Sequence, residues 1–173
     1  MKKNIVIILF VFFVIVDLYG QKDTFIPNSY LIGNSIIPLY KNSLGKLIKK
    51  RVNNSLLDNY YETQIISKKN NRFFVQVNCV NCNNSIISGW LDIKYVGVGL
   101  RNKSYNSIPL YSLPNYKSKR IVVKVHIESI IAIIIDKNGK WLKVYFDNNR
   151  KKIIGWLAPD NQCYNLFTMC TGE

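Results

Sequence analysis

Three landmarks occur twice in the same order, and this duplication limits what the chain can fold into more than any other feature. The string Ile37-Pro38-Leu39-Tyr40 returns as Ile108-Pro109-Leu110-Tyr111, at an offset of 71. Phe74-Val75-Gln76-Val77 stands opposite Trp141-Leu142-Lys143-Val144 at 67, and Gly89-Trp90-Leu91 returns as Gly155-Trp156-Leu157 at 66. Each copy is about 60–70 residues, near the size at which a single core becomes marginal. Two packed copies, or disulfide support, are therefore expected.

Within each copy the apolar pattern is that of strands. Short runs rich in Ile, Val, Tyr and Phe are separated by Asn70-Asn71, Asn83-Asn84, Asn138-Gly139 and Asn148-Asn149, pairs that favour tight turns. The clearest stretch predicts strands over 120–127, 130–135, 141–146 and 151–157, a meander that would close into a barrel or sandwich. Side chains on a strand alternate in direction. Leu142, Val144 and Phe146 are thus expected inside, with Trp141, Lys143 and Tyr145 outside. In the first copy Phe73, Val75 and Val77 are expected inside and Phe74, Gln76 and Asn78 outside. The outward aromatics admit two readings: a sticky groove, or rings that pack under a loop or on the other copy.

The first twenty residues read as an export signal. Lys2 and Lys3 precede an apolar run over 5–16, and Gly20 closes the segment, the three-part layout of a secretory signal. Twelve apolar residues fall short of the roughly 20 that a membrane span needs, so the mature chain is expected to begin near Gln21. Lys2, Lys3 and Asp17 leave with the signal, and the remainder still carries 22 basic and 9 acidic residues. Such an excess suits an anionic glycan, a membrane surface or nucleic acid, and export disfavours nucleic acid. The 24 Ile, 21 Asn and 19 Lys against two Ala also fit a biased composition, in which lysine is the default solvent-facing residue.

The repeated order resembles the bacterial Src-homology-3-like (SH3b) domain, in tandem. That family is similar in its Leu-Tyr-like opening, here Leu39-Tyr40 and Leu110-Tyr111, followed by a polar variable loop. It then shows an aromatic-apolar-basic-apolar strand, here Trp141-Leu142-Lys143-Val144, and closes on Gly-Trp-Leu at Gly89 and Gly155. The first copy departs in carrying Phe74 where the second has Trp141. The resemblance implies two small SH3-like β-barrels. The expected organisation is a signal peptide at 1–20, a lead-in at 21–34, domain 1 at 35–98, a linker at 99–106, and domain 2 at 107–173 with a disulfide-pinned tail. It further implies ligand contacts from Tyr40, Phe74, Trp90, Tyr111, Trp141, Lys143, Tyr145 and Trp156. Lys117 and Lys119 would border the groove, as Lys46, Lys49, Lys50 and Arg51 would in copy one. A cationic rim there favours anionic partners, while a solvated charged face is the plainer reading of the same residues.

Cys79, Cys82, Cys163 and Cys170 are expected as structural disulfides in an exported chain, paired most simply as Cys79 with Cys82 and Cys163 with Cys170. A four-thiolate zinc site is the alternative, since a CxxC can hold one tetrahedral edge. The one histidine, His126, sits in a strand-like run, and no nucleophile-histidine set, phosphate loop or marked carboxylate pair accompanies it. The expectation is an all-β, noncatalytic exported module without metal or cofactor. It would bind cell-wall peptide or peptidoglycan, another envelope polymer or an envelope protein. A structural or inhibitory envelope protein and a small wall hydrolase are the alternatives.

Overall fold

The computed structural model describes residues 26–32, 36–52, 61–79, 86–101, 107–124, 131–148 and 150–163, side chains at 49–52 excepted. The expected signal peptide, the Asn83-Asn84 turn, His126, Cys82 and Cys170 lie outside them. The chain is all-β. Its strands are β1 Ser29–Leu31, β2 Ile36–Tyr40, β3 Leu47–Val52, β4 Tyr61–Lys69, β5 Arg72–Cys79, β6 Ile87–Asp92 and β7 Val96–Leu100. They continue as β8 Ser107–Tyr111, β9 Arg120–Lys124, β10 Ile131–Asn138, β11 Trp141–Asn148, β12 Lys151–Leu157 and β13 Gln162–Cys163. One 3₁₀ turn, Ile93–Tyr95, precedes β7 and another, Pro159–Asn161, precedes β13.

These strands join into one antiparallel sheet with the order β3-β2-β6-β5-β4-β1-β7-β10-β11-β12-β8-β9, and β13 pairs with β7. The path is open, with β3 and β9 at its ends, where two separately closed barrels were expected. The reason lies in β7, which serves both copies. Gly97 and Val96 pair with Tyr30 and Leu31 of β1, while Val98 and Gly99 pair with Ala132 and Ile131 of β10. Gly99 and Leu100, expected to open the linker, are strand residues that also receive Cys163 and Gln162 of β13. Thus β1 stands to β4 as β7 stands to β10, and the second copy begins on the strand that ends the first.

The alternation is as expected. Phe73, Val75, Val77, Leu142, Val144 and Phe146 are all buried, and they belong to one apolar cluster that also takes in Val96, Val98 and Leu100 of β7. The hairpins close at Asn70 and Gly139, both at positive φ, which asparagine and glycine tolerate best. Both long hairpins carry an irregularity at the same place, between Ile65 and Ser67 in β4 and between Ile134 and Asp136 in β10. Beside these bulges the copies touch directly. Lys137 Nζ donates to the Ile65 carbonyl, and Lys68 lies 3.6 Å from Asp136. Burial lowers the Lys137 ammonium below its ordinary range, as desolvation of a cation requires.

The co-occurrence of the Leu-Tyr and Gly-Trp-Leu landmarks has a steric cause. A Cβ on Gly89 would lie 2.5 Å from Leu39 Cγ, and one on Gly155 would lie 2.8 Å from Leu110 Cβ. Each leucine of the opening strand therefore fills the space that its glycine leaves vacant. Gly155→Ala is expected to cost about 1–3 kcal/mol by overpacking. In urea denaturation the double change with Leu110→Ala should cost less than the sum of the two single changes, because the residues share one space.

Candidate functional site

Register partners, which settle how the copies correspond, correct one alignment made from sequence. Gly89 pairs with Val75 and Gly155 pairs with Val144, so Val75 corresponds to Val144, Phe74 to Lys143 and Arg72 to Trp141. The repeat read from sequence sets Phe74 against Trp141. A slip of two residues preserves the face of every side chain, which is why the inward and outward sets were right while the partners were not.

In the first copy the outward row runs Tyr40, Trp90, Phe74 across β2, β6 and β5. Phe74 and Trp90 stack at 5.5 Å with their planes tilted by 47°. Over Tyr40 lies the Arg72 guanidinium, 3.8 Å from the ring centroid. It is held there by Asp92, whose Oδ1 accepts from Arg72 Nε at 2.7 Å, and more loosely by the Ser43 carbonyl at 3.4 Å. A charge-assisted bond of this length fixes the side chain, so the exposed face of Tyr40 is covered from within the chain. Lys46 is exposed in the loop 41–46; the side chains of Lys49, Lys50 and Arg51 lie outside the described residues.

In the second copy the same row is Tyr111, Trp156, Lys143 across β8, β12 and β11. Trp141, in the place of Arg72, meets Tyr111 edge to face at 5.2 Å and 89°. Tyr116, from the loop 112–119, completes the group: it lies 4.8 Å from Trp141 and 5.8 Å from Tyr111, at 62° and 85°. Edge-to-face pairing at these distances is the favoured aromatic arrangement. Tyr111 is buried beneath the other two, Trp141 is half-buried, and Tyr116 remains 58% exposed. The outcome is a firm aromatic platform with its outer surface in solvent.

Polar groups frame that platform. The Tyr116 hydroxyl donates to Asp160 Oδ1 at 3.0 Å, and burial together with this carboxylate raises its phenol above the ordinary range. Lys143 Nζ sits 5.9 Å from the centre of the Trp156 ring, within cation-π reach. The Tyr145 hydroxyl donates to Asp147 at 3.1 Å, so Tyr145 stands on the same face but is turned to its own strand. Lys117 and Lys119 are exposed in the loop that carries Tyr116. The loop is shaped by Asn115, whose Oδ1 accepts from the Lys117 amide, and by Ser118, whose hydroxyl donates to the carbonyls of Leu113 and Asn115.

The predicted site residues therefore fall into two sets. Tyr111, Trp141, Trp156, Lys143 and Tyr145 share one face of the second copy, with Lys117 and Lys119 in the adjoining loop; Tyr40, Phe74 and Trp90 form the separate row of the first. Tyr116 and Arg72 are absent from the sequence-based set. Tyr116 was recoverable as the one aromatic inside the lysine-bearing loop, and Arg72 only once the correct register is known. Cys79 and Cys163 are both disulfide-bonded, while their expected partners lie outside the described residues. Among the described residues no group of three or more His, Cys, Asp or Glu is placed to hold a metal.

Fold and site define an all-β protein in which a duplicated meander presents two unlike aromatic rows. No protein-family model matches the chain, and no curated protein matches it in sequence.

Proposed function

We propose that the chain is a noncatalytic, exported binding module of two SH3-like copies, and that its second copy holds a cell-wall peptide, peptidoglycan fragment or other envelope component. The observation that supports this reading is the contrast between the two rows. In copy one a guanidinium, Arg72, caps Tyr40, whereas in copy two the cap over buried Tyr111 is aromatic, made of half-buried Trp141 and exposed Tyr116. Rigid aromatic surface beside a few polar groups is how extended peptides and sugars are commonly held. Lys143, Lys117 and Lys119 would meet carboxylates or phosphates of the ligand by charge-assisted contact.

Paired Tyr116→Ala and Trp141→Ala changes are expected to weaken binding to purified wall fragments by about 2 kcal/mol or more, the scale of aromatic anchors. The circular dichroism and melting point should stay close to those of the wild type. Charge reversal at Lys117 and Lys119 should mainly slow association and flatten its salt dependence. Retained binding in the aromatic variant overturns the assignment of the site; a variant that unfolds shows the rings to be core instead.

A further inference from the structure

The duplication supplies an internal control for a second surface. Beyond the aromatic row, the outward face of copy two carries Ile133, Tyr145 and Ile154 side by side across β10, β11 and β12. Ile131 lies two residues along β10 on the same face. Their counterparts in copy one are Gln64, Gln76 and Ser88, with Glu62 for Ile131, in matching register across β4, β5 and β6. The meander therefore folds with these four places polar; in copy two Ile133 packs in part against the apolar cluster, whereas the exposed Ile131 and Ile154 are not a demand of the fold. Ile131 and Ile154 are 48% and 53% exposed, and Ile133 and Tyr145 are half-buried.

From this contrast and the charge around it we infer that this face of copy two docks on an anionic lipid surface. Isoleucine offers no hydrogen bond to a sugar or a peptide backbone, yet it contributes burial in hydrocarbon, while a tyrosine such as Tyr145 suits the headgroup level. Lys143 lies on the same face, Lys152 precedes Ile154 by two residues along β12, and Lys124 and Arg120 stand exposed on β9. The carboxylates on these strands are Asp136, which lies 3.6 Å from Lys68, and Asp147, which accepts the Tyr145 hydroxyl. A chain of net charge +14 repels a second copy of itself and is drawn to anionic lipid. The inference does not rest on wall-fragment binding, because it uses the isoleucines and not the Tyr116–Trp141 platform.

Co-sedimentation with vesicles of phosphatidylglycerol and phosphatidylcholine, against phosphatidylcholine alone, tests it with the whole exported chain. Wild type should partition onto the anionic vesicles and be released progressively by salt. The variant Ile131→Glu, Ile133→Gln, Ile154→Ser places copy one's residues on copy two. It should lose about tenfold or more of that partition through lost apolar burial and the repulsion of the added carboxylate, with unchanged circular dichroism and unchanged binding to wall fragments. Tyr116→Ala with Trp141→Ala should keep vesicle binding. If the triple variant does not fold, Ile154→Ser alone should still lower the partition by about threefold. Wild type that ignores anionic vesicles overturns the inference, as does a folded variant that binds them equally. A wild-type dimer dissolved by these changes would assign the face to a second copy and overturn it too.

Discussion

Phe73→Ala is expected to lower the unfolding free energy by about 3–5 kcal/mol and Leu142→Ala by about 2–5 kcal/mol, each within a single transition that takes both copies together. Phe73 is 0% and Leu142 1% exposed, one on β5 and the other on β11. Removing either side chain leaves a cavity that a packed sheet only partly refills. The copies have no separate cores into which the damage could be confined. Their buried residues form one cluster, β7 closes the first copy and opens the second, and Lys137 reaches back to the Ile65 carbonyl. Urea denaturation followed by tryptophan fluorescence and by far-ultraviolet circular dichroism should therefore give coincident curves with one midpoint for each variant. Phe74→Ala, on the half-buried face against Trp90, should cost distinctly less. Two resolved transitions, only one of which moves with Phe73→Ala, would show that the copies unfold independently.

What the sequence makes legible here is local, and what it hides is the partner across the gap. The strict alternation in Arg72–Cys79 and Trp141–Asn148 sorts inward from outward residues because a pleated strand has a period of two. Leu39 with Gly89 and Leu110 with Gly155 repeat together because one fills the space of the other. Neither signal says which strand lies beside which. The end of β7 reads as the start of a linker, since Gly99, Arg101, Asn102, Lys103 and Ser104 interrupt the apolar run, and the partners of β7 come from β1 and β10, far away in the chain. The expected closed barrels rest on the family resemblance, and that resemblance carries no information about pairing between copies.

The site was half legible for a related reason. Trp141 and Tyr145 were assigned outward by parity, and parity survives the two-residue slip between the copies. The identity of Trp141's counterpart does not survive it. Only the pairing of Gly89 with Val75 and Gly155 with Val144 reveals that an arginine pinned by Asp92 stands where the second copy has an aromatic ring. Tyr116 comes from a loop, and loops have no period from which an inward or outward direction could be read. The contrast between the copies, one row capped by a guanidinium and the other by two aromatic rings, thus emerges from register and loop geometry together.

Loss of a disulfide is the other large effect expected. Cys79 ends β5 opposite Tyr61 of β4, and Cys163 lies in β13 opposite Gly99 of β7; both are buried and both are bonded. Non-reducing peptide mapping should recover Cys79 with Cys82 and Cys163 with Cys170. Cys163→Ser should cost about 2–5 kcal/mol, towards the lower end because the loop it closes is short and the entropy removed from the unfolded chain grows with loop length. The folded state adds a reason for the second bond to matter more than the first. The Cys163–Cys170 loop is the longer of the two, and Cys163 lies on β13, which pairs with β7, the strand that serves both copies. Reduction should thus lower the melting temperature of the whole molecule in one step, and Cys79→Ser should lower it less. Stoichiometric zinc, with four thiols that become reactive only after chelation, would replace the disulfides with a metal centre and overturn this pairing.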